Sequence, residues 1–195
     1  MVDSATGYPI TLFVLQAAGL VVIAFAGVGL FLRRSWSQVV LRLGLEKLQW
    51  QHLLISVIAV FALMAINFSI SGIWLLINQK QAEDISQISN ALLGSFDSFG
   101  SILLLAVLTG VSEEVLFRGA LQPRLGIVLT SLLFASTHIQ YAISPATLSV
   151  LIIGFVLGLL RRYFGTWTAV LTHFGYNFNL LLLGLLVSNV LELTG

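Results

Sequence analysis

The sequence predicts an all-α bundle of about six transmembrane helices, and three observations carry that expectation. Hydrophobic residues make up 58% of the chain and charged residues only 9%, with a mean hydropathy of +1.02, whereas a soluble domain carries about 25% charge. Apolar runs long enough to cross a bilayer, about 20 residues each, recur along it. Basic residues gather after alternate runs, as the positive-inside rule requires of a polytopic protein. The 195 residues suit one integral membrane domain over 1–195. There is no cysteine, which removes disulfides, thiolate catalysis and zinc–thiolate sites together.

The start, Met1-Val2-Asp3-Ser4, lacks a basic leader, and the apolar run behind it is too long for a signal-peptide core, so it is expected to be retained as the first span. Ile10–Leu32 and Leu53–Asn78 contain no acidic or basic side chain and are the first two spans. Between them, Arg33–Gln51 mixes Trp36, Val40, Leu43 and Trp50 with Arg33, Arg34, Arg42 and Lys47, which suits an interfacial helix. Gln79–Ser98 is polar and acidic and is expected to be a loop. Four further spans follow at about Phe99–Phe117, Leu125–Tyr141, Ala146–Leu160 and Thr166–Val190, the last with a bend expected near Gly184.

Eight of the nine Lys and Arg residues then fall on one side: Arg33, Arg34, Arg42 and Lys47 after span one, Arg118 and Arg124 after span three, Arg161 and Arg162 after span five. Asp3, the acidic segment and Glu192 fall on the other. Both termini are thus expected outside and the basic connections in the cytoplasm of a plasma or other energy-transducing membrane. Gly154 and Gly158 give span five a small face for close helix packing.

Ionisable groups inside spans are costly, about 2.5–3.5 kcal/mol each at the bilayer centre, and mark candidate function. Three segments carry them. Glu113 and Glu114 are followed by Arg118, His138 ends an apolar run, and His173 with Asn177 share one helical face at i and i+4. Glu114 and Arg118, also i and i+4, are placed to pair. Glu113 then faces elsewhere, since neighbours on a helix point about 100° apart. A buried carboxylate beside a like charge suits a general base near neutral pH. The structural alternatives are a helix-end ion pair for the glutamates, a core histidine bonded to backbone for His138, and interhelical polar contacts for His173 and Asn177.

One chemistry uses all of them. Glu113 deprotonates a water that attacks a peptide carbonyl, while His173, Asn177 or His138 stabilises the oxyanion, or His138 holds the water. In a metal variant, Glu113, His138 and His173 hold zinc. No His-Glu-x-x-His helix and no Gly-x-Ser-x-Gly turn occurs, and Asp3, Asp84 and Asp97 lie in loops or boundaries. At 1.5 Å per residue, Glu113 and His138 differ in depth by about 10 Å under these boundaries. A re-entrant Gln122–Gly126 connection or shifted span ends would reconcile them.

Glu-Glu-x-x-x-Arg, Phe-x-x-x-His and His-x-x-x-Asn in this order resemble the CPBP family of intramembrane proteases, the CAAX-protease and bacteriocin-processing enzymes that include type II CAAX prenyl proteases. Phe117-Arg118-Gly119, and Gly154 to Arg162 followed by Gly165-Thr166-Trp167, add to the likeness. It covers roughly Leu104–Leu180, the expected catalytic core (104–180). The resemblance implies an endopeptidase with Glu113 as base, Glu114 and Arg118 as a supporting pair, and His138, His173 and Asn177 completing the site. It leaves open glutamate-type against metal-dependent catalysis, with zinc the metal considered. The expected partners are the lipid bilayer, a membrane-associated protein or peptide substrate and a larger membrane complex, with no nucleic acid. A non-catalytic scaffold or assembly factor of the same family, and a proton or cation carrier, are the rival readings.

Overall fold

The computed structural model describes residues 8–45 and 48–194. Asp3 and Lys47 lie outside them, as does the side chain of Glu192. Every regular element described is helical: α1 (Ile10–Gly27), α2 (Trp36–Arg42), α3 (Trp50–Ile77), α4 (Gln79–Leu93), α5 (Phe99–Glu114), a π-helical segment (Val115–Leu121), α6 (Gln122–Ser136), a short 3₁₀ turn (Ile139–Tyr141), α7 (Pro145–Phe164) and α8 (Thr166–Thr194). Among the described residues, five helices are long and apolar enough to cross a membrane, and the protein is an integral membrane protein. Large apolar side chains such as Leu15, Ile58, Phe61 and Ile73 are exposed on their outer faces. Lipid, unlike water, solvates them without cost.

One of the five is the 38-residue run Phe99–Ser136. Straight, it would extend about 57 Å, nearly twice the hydrocarbon thickness. It bends at Gly126, whose φ of 76° lies outside the helical region. Glycine alone adopts this conformation freely, so the run turns back there and supplies both the third and fourth expected spans.

The boundaries differ from the sequence expectation in ways that matter. The helix continues well past Phe117, so Glu113 lies farther from the chain reversal than its expected place near a span end. The fourth span ends at Ser136, and Tyr141 belongs to the separate 3₁₀ turn. These shifts remove the expected depth mismatch between Glu113 and His138. Arg118 is not a connecting-loop charge but a fully buried residue within the helical run.

Three further expectations need correction. Span one ends at Gly27 rather than Leu32, because Gly29 and Phe31 adopt positive φ and the Arg34 guanidinium donates to the Val28 carbonyl. Gln79–Ser98 is largely helix α4, not loop. Asn78 accepts from the Gln81 amide at 3.1 Å to start it, and Gln79 donates to Glu83 one turn on. Ile85, Ile88 and Leu92 recur at helical spacing, a pattern the surrounding polar residues obscured. Finally, α8 runs as one helix through Gly184.

Packing is organised around α5 and α8, which lie against one another, while α6 packs on α7 and α3 packs on both α7 and α8. A Cβ on Gly110 would stand 3.0 Å from the Phe174 backbone nitrogen, so the α5–α8 approach depends on that glycine. A Cβ on Gly158 would meet Ile127 at 2.8 Å, and one on Gly154 would meet Phe134 at 3.1 Å. The small face of α7 thus receives α6.

Candidate active site

Glu114 closes α5, and the following π-helical segment adds a residue to the turn before Arg118. A π turn widens the helix and re-aims side chains, which is why such turns concentrate at functional sites. The Glu114 and Arg118 side chains are both essentially inaccessible. Arg118 Nη1 donates to Glu114 Oε1 at 3.1 Å, and Arg118 Nη2 donates to the Gly154 carbonyl at 3.0 Å. The guanidinium carbon also sits 4.4 Å from the centroid of the Phe134 ring. Desolvating a charge pair costs several kcal/mol per ion unless such partners compensate. Gly154 permits the close approach of both partners: a Cβ there would crowd Phe134 and lie 3.5 Å from Arg118 Nη2.

The same Glu114 oxygen accepts from His173 Nδ1 at 2.9 Å, joining α5 to α8. One turn along α8, Asn177 donates through Nδ2 to Thr109 Oγ1 at 2.9 Å, and Thr109 in turn donates to the Leu105 carbonyl. His138 follows α6 and places Nδ1 3.0 Å from the Phe134 carbonyl of its own chain turn. A carbonyl only accepts, so Nδ1 carries the proton, as it does in His173 opposite the Glu114 carboxylate. An imidazole that is neutral with its proton on Nδ1 keeps a lone pair on Nε2. The Phe134 ring stands between them, 5.0 Å from the His138 ring and 5.9 Å from that of His173.

Glu113 takes no part in these bonds. Its charge acts on Arg118, yet its Oε2 atom is buried without a hydrogen-bond partner, and so is Oε2 of Glu114. Buried polar atoms are normally bonded, which makes these oxygens the chemically conspicuous atoms of the layer. Among the described residues, no group of three His, Asp or Glu side chains is arranged to hold a metal ion. In the expected set Glu113, His138 and His173, both imidazoles spend Nδ1 on protein partners, the Glu114 carboxylate and the Phe134 carbonyl, so only Nε2 of each is left to face a ligand.

The structure thus brings Glu114, Arg118 and His173 into direct contact, with His138 across Phe134 and Asn177 one turn away. Three participants escaped the sequence reading. Thr109, which holds Asn177, sits one helical turn before Glu113, and its spacing was the available signal. Gly154 acts through its carbonyl, which no sequence pattern announces. Gln122, which donates to the Gly158 carbonyl at 2.8 Å, ties the start of α6 to α7.

With this layer defined, the comparisons with known proteins bear on the same stretch. Residues 95–179 match the family model described as type II CAAX prenyl endopeptidase Rce1-like. That stretch, under half of the chain, is similar to the Rce1-like family. All six residues singled out by the polar motifs lie inside it. An uncharacterized protein from Bacillus subtilis strain 168, YpbD, is 38% identical over 80 residues, an alignment covering 40% of this chain and 42% of that protein. No solved structure matches the chain.

Proposed function

We propose that the protein is an intramembrane endopeptidase in which Glu113 activates the attacking water. The observation that carries this is the contrast between two adjacent carboxylates. Each has a buried Oε2 without a partner, but Glu114 is anchored through Oε1 by Arg118 and His173, whereas Glu113 makes no such bond among the described residues. Glu113 takes a proton from water, and the hydroxide oxygen adds to the peptide carbonyl carbon. The second N–H of Asn177 Nδ2 donates to the oxyanion, while the Nε2 lone pair of His138 accepts the water's other hydrogen. The C–N bond then breaks, the leaving amine receives the proton from Glu113, and a carboxylic acid remains. Arg118 holds Glu114, and Glu114 holds His173; both are positioning residues.

The substrate class is the tail of a membrane-associated protein or peptide, in keeping with the Rce1-like match. The basic end of the bundle faces the cytoplasm, and both termini lie outside. Partner proteins in a larger membrane complex supply recognition outside the bilayer.

The test uses purified protein in lipid vesicles with a prenylated C-terminal peptide, scored by mass spectrometry of the products. Wild type is expected to cleave it, and Glu113→Gln to lose at least about 100-fold of the rate, the usual contribution of a general base. The second reading is a non-catalytic scaffold, favoured by the engagement of Glu114, His173 and His138 with protein partners. No cleavage by wild type, together with full cellular function of Glu113→Gln, would decide for it.

A further inference from the structure

The basic end of the bundle holds a feature that hydrolysis does not use. Arg34 from the turn after α1, Arg42 from α2, Arg124 from α6 and Arg161 from α7 lie close enough there for their charges to act on one another through Arg42. Partial burial, and then the charges of Arg124 and Arg34, hold the Arg42 guanidinium below the usual arginine range. Among the described residues neither ion pair involves these arginines, since both are made on Glu114. Like charges gathered with no counter-charge among the described residues repel, and an anion seated among them would relieve that repulsion.

Two adjoining cavities of about 390 and 510 Å³ open at this point, and Leu41 and Arg161 line both. Arg42 lines one, and Arg162, His52 and Trp167 line the other. The lining is amphipathic: guanidinium groups beside Leu41, which is 64% exposed. Trp36 and Trp50 are exposed in the neighbouring α2 and α3 starts, as tryptophans are at headgroup depth. Arg42 Nη1 donates to the Gly119 carbonyl at 3.3 Å and Arg161 Nε to the Arg118 carbonyl at 3.0 Å. Each guanidinium retains further donors. The groove therefore rests on the π-helical segment that positions Arg118.

We propose that this groove binds the phosphodiester headgroup of an anionic phospholipid between Arg42 and Arg161, with an acyl chain along Leu41. The bound lipid neutralises the arginine cluster and steadies the π-helical segment. Binding requires no hydrolysis, so its test stands apart from that of the proposed activity.

Protein extracted from vesicles holding equal phosphatidylglycerol and phosphatidylcholine would be examined by native mass spectrometry for retained lipid. Wild type is expected to retain phosphatidylglycerol preferentially, and Arg42→Gln or Arg161→Gln to weaken retention about fivefold each. Arg33→Gln removes the same charge from an exposed position outside the groove and is expected to change nothing. Should the groove arginine variants fail to fold, Leu41→Glu places a carboxylate at the exposed rim and is expected to abolish the preference. Equal retention of the two lipids, or equal loss in Arg33→Gln, overturns the proposal. So does protection of wild type against heat by millimolar inorganic phosphate to the same extent as by phosphatidylglycerol, which marks a free-phosphate site. A peptide retained in place of lipid overturns it as well.

Discussion

Arg118 and Arg42 occupy regions only about 10 Å apart along the bundle, judged from the rise of α7 from Gly154 to Arg161, and their surroundings differ in kind. Around Arg118 every neighbour answers the charge: the Glu114 carboxylate, the Gly154 carbonyl and the face of Phe134. Around Arg42 the charged neighbours that act on it are other arginines, and among the described residues its acceptor is the Gly119 carbonyl. The first environment locks a side chain in place and leaves nothing for a ligand. The second keeps donors unspent at a surface that a ligand can reach. The same distinction separates Glu114 from Glu113, and it indicates where in a membrane protein to look for structure and where for chemistry.

The largest expected effect breaks the locked region. Arg118→Ala leaves Glu114 buried without its cation and is expected to cost about 3–5 kcal/mol, read as a fall in the unfolding midpoint in detergent. Arg118→Lys should recover only part of this, since a point charge does not reach both acceptors as the planar fork does. A midpoint unchanged in Arg118→Ala would mean that the pair does not organise the bundle.

The two glutamates sharpen the comparison next. Glu114→Gln is expected to reduce stability and activity together. Glu113→Gln should abolish cleavage while keeping the midpoint within the range of a neutral substitution, about 0.5 kcal/mol. Loss of stability in Glu113→Gln would place it among the locked residues.

Gly110→Ala tests whether the two halves of the layer must touch. Its Cβ would meet Phe174 backbone atoms at 3.0 and 3.1 Å, and backbone cannot rotate away. The expected cost is about 1–3 kcal/mol, with activity lost as α5 moves from α8 and Glu114 from His173.

The smallest effect belongs to Thr109→Val, which keeps the shape and removes the acceptor of Asn177. A change in stability of about 1 kcal/mol and a tenfold slower turnover at unchanged KM are the expected outcomes. Activity equal to wild type would remove Asn177 positioning from the mechanism.

Much of this was legible beforehand because hydrophobicity is a one-dimensional signal. The apolar runs from Ile10, Leu53, Ala146 and Thr166 each coincide with a helix, although the first helix stops at Gly27, and the i, i+4 spacing of Glu114 and Arg118 does yield a pair. Helix α4 was missed because its amphipathic period is diluted by Gln, Ser and Asn. The reversal at Gly126 was placed approximately, but its sharpness was not, since a glycine's φ depends on the packing it must satisfy.

The sequence by itself determined the class of molecule, the order of its spans, the gathering of arginines at one end and the three segments that carry polar groups into the bilayer. These follow from local composition and from periods of a few residues, which the solvent reads directly. Tertiary structure decided which carboxylate is bound and which is left unpartnered, that the π-helical segment turns Arg118 onto Gly154, and that His173 reaches Glu114 across 59 residues. Those outcomes depend on how closely α5, α7 and α8 approach one another. That distance is set by glycines and ring faces from separate helices, and no single segment encodes it.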